Sequence, residues 1–333
     1  MLLAFVLLLV ILVSTAMGYM EIPFPGVIKT IAAKISGDDS LLRDLKGAVP
    51  YVIWEVRLPR VLTAAAVGAG LSVSGVVFQG ILLNPLADPY TLGISAGAAF
   101  GASIALILNL SFLGLYTVPF FAFLGALGTL GVVIFLSSFE GEMSSNSLIL
   151  SGIIVAAILS AGISFLKYVA DEQVSVIIFW LMGSFASKTW PEVLLALTCV
   201  LAGFLVALYF ARDLNIISLG DRAADSLGVS SSRVRMSLLV AASFMTAVCV
   251  SVSGIIGFVG LIVPHLLRFL AGADNRKLLP ASALAGAILL LSADTITRAI
   301  LPREIPIGVL TALIGGPFFC YIFRKRGTRG IHA

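Results

Sequence analysis

RLPR at residues 57–60 and NPLADP at residues 84–89 enclose about twenty small and apolar residues, and this stretch decides the fold of the chain. Two cations stand at one end of an uncharged segment that is long enough to cross a bilayer as a helix. A polar turn with two prolines stands at the other end. The order predicts a membrane span with functional groups at both of its boundaries.

The composition of the whole chain indicates a membrane protein rather than a soluble one. Of its 333 residues, 59% are hydrophobic and only 11% are charged, and the mean hydropathy is +1.11. Soluble domains average about 25% charged residues. The net charge of +4 is explained by basic cytoplasmic loops, so we expect a lipid membrane and no nucleic acid among the partners.

Apolar stretches predict an all-α integral membrane protein with about ten transmembrane helices in a single domain, residues 1–333. The predicted spans are 2–19, 61–82, 91–110, 115–137, 147–166, 193–211, 236–256, 258–271, 279–300 and 306–323. We expect residues 1–19 to be a retained first helix, because no positive charge precedes the apolar run as it does in a signal peptide. Residues 20–56 are predicted to form an external loop, and residues 172–190 a short interfacial helix with a turn on the outer side.

Two of the later spans carry polar groups. The stretch 258–271 is shorter than the roughly 20 residues that a full crossing needs. It contains Pro264 and His265, so we expect a tilted or partial helix in which the histidine has a packing role. On the ninth span, Asp294 and Arg298 are four residues apart and are expected to pair near the surface.

Small residues at helical spacing predict close helix packing, since lipid provides no hydrophobic drive for helix association. Gly97 and Gly101 form a GxxxG pair, and Ala66, Gly70 and Ser74 form a stripe on one helix face. Most of these contacts are expected within one subunit.

SVSG at residues 72–75 recurs at residues 251–254, in helices predicted to run in opposite directions. The echo favours an inverted internal repeat, although four residues in an apolar, serine- and glycine-rich sequence also match by chance. The basic cluster at residues 324–329 favours a cytoplasmic C-terminus.

Between the spans, Pro59 is placed to start a helix, and the polar segment 213–235 predicts a short amphipathic helix because its apolar residues recur at i, i+3, i+4 and i+8. A plain cytoplasmic loop remains the alternative for that segment. GSFASKT at residues 183–189 ends in Lys-Thr, as a phosphate loop does, but neither of the two positions at which that loop requires a glycine holds one. The chain therefore has no nucleotide site by that route, and its energy comes from a partner or an ion gradient.

RLPR and NPLADP, together with GLIVPH at residues 260–265 and EIPIG at residues 304–308, resemble the permease subunits of the FecCD type, which import iron-siderophores, haem and cobalamin with ATP-driven partners. The resemblance covers residues 57–324 and implies a fold related to the cobalamin importer permease. It also implies a second copy of the chain, two ATP-binding cassette subunits, an extracytoplasmic substrate-binding protein and a prokaryotic cytoplasmic membrane. The partner subunits would hold ATP and Mg, and this chain itself would have no catalytic residue, cofactor or metal.

The resemblance also implies three functional sites. The external face would dock the binding protein through Arg57, Arg60 and Arg298. The cytoplasmic gate would consist of Asn84, Leu86, Ser145 and Asn146. The coupling segment to the ATPase subunit, residues 212–235, would make contact through Leu219, Gly220, Asp221, Ala224, Leu227 and Gly228. The sequence also permits simpler roles: arginines that snorkel to lipid headgroups, and polar residues that cap helices and turns.

Three functions compete for this sequence. An ion-coupled secondary transporter would need acidic residues or histidines inside its spans, and the span interiors are nearly free of acids. An intramembrane enzyme would need a metal motif such as H-E-x-x-H or paired aspartates, and the sequence has neither. We therefore expect the permease subunit of an ATP-driven importer working by alternating access. Ferric siderophore, haem, cobalamin and oxyanion substrates remain open.

Overall fold

A computed structural model describes residues 1–18, 20, 22–45, 47–138, 144–300 and 304–329, and every regular element in these ranges is helical. The helices are α1 (Leu2–Ala16), α2 (Phe24–Ser36), α3 (Val49–Tyr51), α4 (Leu58–Ile81), α5 (Ile94–Ile107), α6 (Thr117–Ser137), α7 (Ser145–Val169), α8 (Val174–Leu181), α9 (Trp190–Tyr209), α10 (Ala211–Ile217), α11 (Asp221–Ser226), α12 (Ser231–Ser253), α13 (Val259–Ala271), α14 (Asn275–Ala299) and α15 (Ile307–Arg329). The all-α fold class is confirmed.

The helices match the ten predicted spans one for one. Within the described ranges, six helical segments are long and apolar enough to cross a membrane, and shorter apolar helices cover Leu2–Ala16, Ile94–Ile107, Val259–Ala271 and Ile307–Cys320. The short helix predicted within residues 172–190 is present as α8, and its interfacial position stays a prediction. The predicted short span is present as the 13-residue α13, with Pro264 inside it. His265 is buried in α13, and its ring packs edge-on against the ring of Phe269, with 5.2 Å between the centroids.

The segment 20–56, predicted as a loop, contains more helix than expected. One side of α2 is buried. Its buried residues Val27, Thr30 and Ala33 recur every three residues, a helical spacing that is visible in the sequence. Gly37 ends α2 in the left-handed conformation, with φ of 74°. This helix lies against α1 and α3 and covers the end of the bundle at which the arginines are found.

Pro59 is the second residue of α4, where the sequence predicts a helix start, but the helical backbone begins further upstream. Helical backbone runs continuously from Val49 to Ile81, and a turn of π-helix at Val52–Arg57 precedes α4. There the N–H of Leu58 donates to the carbonyl of Ile53, five residues back. Because proline has no N–H and its ring crowds the preceding turn, a locally widened turn keeps the helix unbroken at this point.

Helix α4 lies at the centre of the protein, in contact with α9, α12, α13 and α14. Two glycine pairs bring its backbone against its neighbours: Gly68 against Gly286 of α14, and Gly75 against Gly260 of α13. In both cases a Cβ on the α4 glycine would overlap the carbonyl oxygen of the facing glycine. Such contacts allow the dense packing that holds membrane helices together.

The predicted small-residue patterns pack inside the subunit, as expected. Gly97 and Gly101 of α5 lie against the backbone of α6 at Gly125 and Phe121, where a Cβ on either glycine would overlap a carbonyl oxygen. On α4, the hydroxyl of Ser74 donates to the carbonyl of Ala242 in α12 at 3.1 Å. The GxxxG prediction is therefore confirmed as a contact between two helices of one chain.

The two SVSG copies have different backbone roles. The first lies in the interior of α4, whereas the second ends α12 at Gly254, which has φ of 74°. The lysine of the segment that resembles a phosphate loop has a structural partner instead: Lys188 pairs with Glu192 at 3.0 Å. Glu192 also forms a capping box with Thr189 at the start of α9.

Replacing Gly68 with alanine tests the central glycine contact. The added methyl group overlaps the carbonyl oxygen of Gly286, so we expect a loss of about 1–3 kcal/mol in the free energy of unfolding. Gly128→Ala in α6 is the matched control, because nothing lies within 4 Å of its Cβ position. That variant should be neutral or slightly more stable. Denaturant unfolding in detergent measures both, and equal stability of the two variants would contradict the proposed contact.

Candidate functional site

A charged cluster lies where the ends of α1, α4 and α14 meet, at the end of the bundle predicted to be external. At its centre is Asp294, whose side chain is only 1% exposed. Arg60 of α4 donates to this carboxylate through Nη2 at 2.8 Å and through Nε at 3.1 Å. Arg298 donates to the same carboxylate at 3.3 Å. The predicted pairing of Asp294 with Arg298 is confirmed, but the carboxylate is buried rather than near the surface.

Glu304 is the solvent-facing member of this cluster. Its carboxylate accepts a hydrogen bond from Nη2 of Arg60 at 2.5 Å, with side-chain exposures of 47% for Glu304 and 14% for Arg60. A cavity of about 260 Å³ opens beside this pair and is also lined by Phe185 and Pro306. An outside partner could therefore reach one guanidinium of the cluster, that of Arg60, which is already paired with the exposed carboxylate of Glu304.

The other two arginines cap the C-terminus of α1. Arg57 donates to the carbonyl oxygens of Thr15 at 2.9 Å and Ala16 at 2.6 Å. Arg298 donates to the carbonyl oxygen of Met17 at 2.6 Å. The last carbonyls of a helix have no partner within it, and cations at this end also complement the helix dipole.

The capping of α1 rules out the simpler role that the sequence permits for Arg57. Its guanidinium is buried and used inside the chain, so it does not snorkel to lipid headgroups. The structure brings Arg57, Arg60 and Arg298 together, as the docking prediction requires. Direct docking through Arg57 or Arg298 would require them to exchange their present partners. Their docking role stays a prediction.

The predicted gate residues also come together, at the opposite end of α4. Oδ1 of Asn84 accepts a hydrogen bond from the N–H of Leu86 at 2.9 Å, which shapes the turn after α4. The hydroxyl of Ser145 in α7 donates to the carbonyl of Ile81 at 3.2 Å. Leu86 and Asn146 are exposed. The two halves of the predicted gate are therefore joined by a contact from α7 to the end of α4.

Helix capping explains only part of this arrangement. The N-cap of α7 is Ser144, whose hydroxyl accepts from the N–H of Ser147 at 3.0 Å. Ser145 and Asn146 are therefore not the N-cap of α7, contrary to the simpler interpretation in which these polar residues cap the helix. The gate role of these residues stays a prediction.

The coupling segment forms two short helices rather than the single amphipathic helix expected. Helix α10 ends at Ile217 and α11 begins at Asp221, because Gly220 takes φ of +102°, which side chains disfavour. Gly228, after α11, has φ of +80°. Ala224 is buried, so one part of the predicted apolar face packs inside the protein and another part lies on its surface.

Two large apolar side chains of this segment face outward. Leu219, before α11 in the chain, is 69% exposed, and Leu227, directly after it, is 63% exposed. Because they lie in a polar connection between helices, an apolar partner surface is a better match for them than lipid. The arrangement agrees with a protein docking site, and this role of the segment stays a prediction.

An amide anchor joins the coupling segment to α14, and sequence analysis missed it. Asn215 of α10 donates to Oδ1 of Asp274 at 2.7 Å and accepts from the N–H of Asn275 at 2.9 Å. The hydrogen bonds from Asn215 and from the N–H of Arg276 lower the pKa of Asp274. Asp274 before the apolar run carried an N-cap signal, but Asn215 had no signal that would identify its partner 60 residues away.

Comparison with known proteins identifies the family. The FecCD transport family matches residues 6–325. The hemin transport system permease protein HmuU of Yersinia pestis is 43% identical over 83% of this chain and 85% of its own length. The molybdate import system permease protein MolB of Haemophilus influenzae is 39% identical over 98% of this chain and 96% of its own. A solved ABC transporter of the metal-chelate type, in an inward-facing conformation, has a TM-score of 0.82 at 38% identity and covers 97% of each chain.

Replacing Asp294 with asparagine tests whether this carboxylate holds the cluster. Arg60 and Arg298, whose side chains are 14% and 8% exposed, would lose their shared counter-charge, so we expect a loss of about 3 kcal/mol in the free energy of unfolding. Glu304→Gln is the matched control, since its half-exposed ion pair contributes about 0–1 kcal/mol. Unfolding in detergent distinguishes them. Similar losses for both variants would show that Asp294 has no special role.

Proposed function

This chain belongs to the FecCD transport family, and from that membership we propose that it is the transmembrane permease subunit of an ATP-driven importer. It moves an iron-siderophore, haem or cobalamin-type substrate inward by alternating access. The observation that carries the proposal is the family match over residues 6–325, nearly the whole chain. The chain carries no catalytic site, cofactor or metal of its own in this proposal, and ATP is hydrolysed by partner subunits.

The assembly in this proposal contains two copies of the chain, two ATP-binding cassette subunits and an extracytoplasmic substrate-binding protein. Leu219 and Leu227 are the apolar anchors for the cassette subunit, and the two glycines beside α11 set their direction. Because Ala224 is buried, α11 is held against the bundle, so a movement imposed on α11 is transmitted to the bundle.

Helix α14 is the proposed mechanical connection between the two faces. It has 25 residues and therefore a length of about 37 Å. Its first residue, Asn275, binds Asn215 of the coupling segment, and Arg298 near its other end belongs to the charged cluster. A movement imposed on α10 at ATP binding would shift α14 as a rigid body and so reach the docking face.

Substrate choice is the open part of the proposal. The relatives named above transport chemically different substrates by their own descriptions, hemin in one case and molybdate in the other. Overall identity to such relatives therefore does not select a substrate, and the binding protein is expected to set most of the specificity.

Replacing Leu227 with aspartate tests the coupling site. A charge in place of an exposed apolar anchor should abolish substrate-dependent ATPase activity in the reconstituted complex, because a buried unpaired carboxylate opposes docking. Gly228→Leu should act similarly, since φ of +80° strains the new side chain while nothing in the chain lies within 4 Å of its Cβ. Leu41→Asp, an exposed leucine in the segment before α3, is the control and should leave ATPase coupled. Transport driven by an ion gradient without any ATPase subunit would refute the whole proposal.

Cysteine substitution at Leu86 tests the gate. In a homodimer, Leu86→Cys in both copies should crosslink in the closed state and block uptake, with reduction restoring it. Ser138→Cys, exposed at the end of α6, is the control for nonspecific crosslinking. Free reaction of the Leu86→Cys variant with reagents that stay outside would contradict the assigned orientation.

Replacing Arg60 with glutamine tests docking of the binding protein. Charged pairs across an interface act mainly on the association rate, so we expect a slower on-rate and a weaker dependence on salt than in the wild type. Lys29→Gln is the control, because Lys29 is an exposed lysine with its own partner, Asp44. Surface binding at two salt concentrations measures this. Equal on-rates for the two variants would remove Arg60 from the docking site.

A further inference from the structure

A second cavity lies between α5 and α7 and plays no part in the docking, gate or coupling sites. Its volume is about 340 Å³. Helix α7 contributes Ser160, Ser164 and Lys167, which are spaced at i, i+4 and i+7 and therefore lie on one helix face. Helix α5 contributes Ser95 and small alanines, which leave the space open.

The lining of this cavity has one positive charge and no negative charge. Lys167 is half-buried, and within the described ranges it forms no ion pair or hydrogen bond. Asp171, four residues later, is exposed and does not pair with it. By contrast, Lys188 is paired with Glu192 and Arg268 donates to Gln79 at 2.5 Å.

Hydroxyl groups complete the polar face. Ser164 donates to the carbonyl of Ser160 at 3.0 Å. The hydroxyls of Ser95 and Ser160 form no hydrogen bond to any described residue. The cavity therefore presents an ammonium group and two available hydroxyl donors, a set that matches oxygen anions.

A larger apolar cavity lies beside the first. Leu181 and Ile255 line both, and the second, of about 590 Å³, extends to α15 at Gly308 and Ala312. We call the two adjacent cavities together the groove, which has a cationic, hydroxyl-bearing end and an apolar end. The smaller cavity suits one peripheral group of a bulky ligand, and the larger suits its apolar body.

We propose that this groove is a substrate-contacting wall of the transport path and that Lys167 binds an anionic oxygen group of the cargo. The transported substrate is then an anionic metal chelate, with carboxylate or catecholate groups at its periphery, rather than a neutral or cationic one. The inference rests on the proposed importer function and narrows its substrate class. It also predicts weaker binding at high salt, because the ammonium is only half-buried.

Direct binding to the purified permease in complex with its ATPase subunit tests this, in lipid nanodiscs and without the binding protein. The probes are the iron(III) complexes of a tricatecholate, which is anionic, and of a trihydroxamate, which carries no net negative charge. We expect the wild type to bind the anionic complex about tenfold more tightly. Lys167→Gln should remove that preference without changing the affinity for the trihydroxamate complex, and Lys167→Arg should retain it. Lys29→Gln, which removes a lysine outside the groove, should bind as the wild type does.

Several results would overturn the inference. These are equal affinity of the wild type for both complexes, no measurable binding of the anionic complex, or an equal loss of both affinities in Lys167→Gln. Basal ATPase activity in the same nanodiscs reports that each variant is folded and assembled. Failure of the importer proposal would look different, because the chain would then neither assemble with an ATPase subunit nor support uptake of any chelate.

Discussion

Contact between backbones at the glycines of α4 is the constraint on which the rest of the structure depends. Gly68 and Gly75 each lie against a glycine of another helix, with no room for a side chain on either. In lipid, apolar area alone does not drive helices together, so close van der Waals packing of this kind must do so. It fixes α13 and α14 against α4, and it thereby fixes the two polar ends of α4, with Arg60 at one and Asn84 at the other.

The charged cluster then acts first as part of the fold. Asp294 is shared by two guanidiniums, and buried ion pairs of this kind are costly to break even where they contribute little net stability. If this cluster docks a binding protein as proposed, its surface is rigid, because each cation is already oriented by the protein. Glu304 is the exception, since it is half exposed and therefore the member that an arriving carboxylate can replace at least cost.

Spans and short helices were predictable from the sequence, because hydropathy and small-residue spacing are local properties of the chain. The helix within residues 20–56 was also predictable, because Val27, Thr30 and Ala33 recur at helical spacing. Partners could not be predicted in the same way. Arg60 and Asp294 are 234 residues apart, and their pairing depends on how α4 crosses α14. The continuous helix through Pro59 was missed because a widened turn leaves no mark in the residue pattern.

The capping of α1 has a consequence for biosynthesis. Helix α1 is made before α14, and Arg298, one of the two side chains that satisfy its final carbonyls, emerges 281 residues after the carbonyl of Met17 that it binds. Until then, the carbonyl of Met17 lacks this donor, although Arg57 can already bind those of Thr15 and Ala16. The end of α1 therefore reaches its complete set of hydrogen bonds only after α14 has been made.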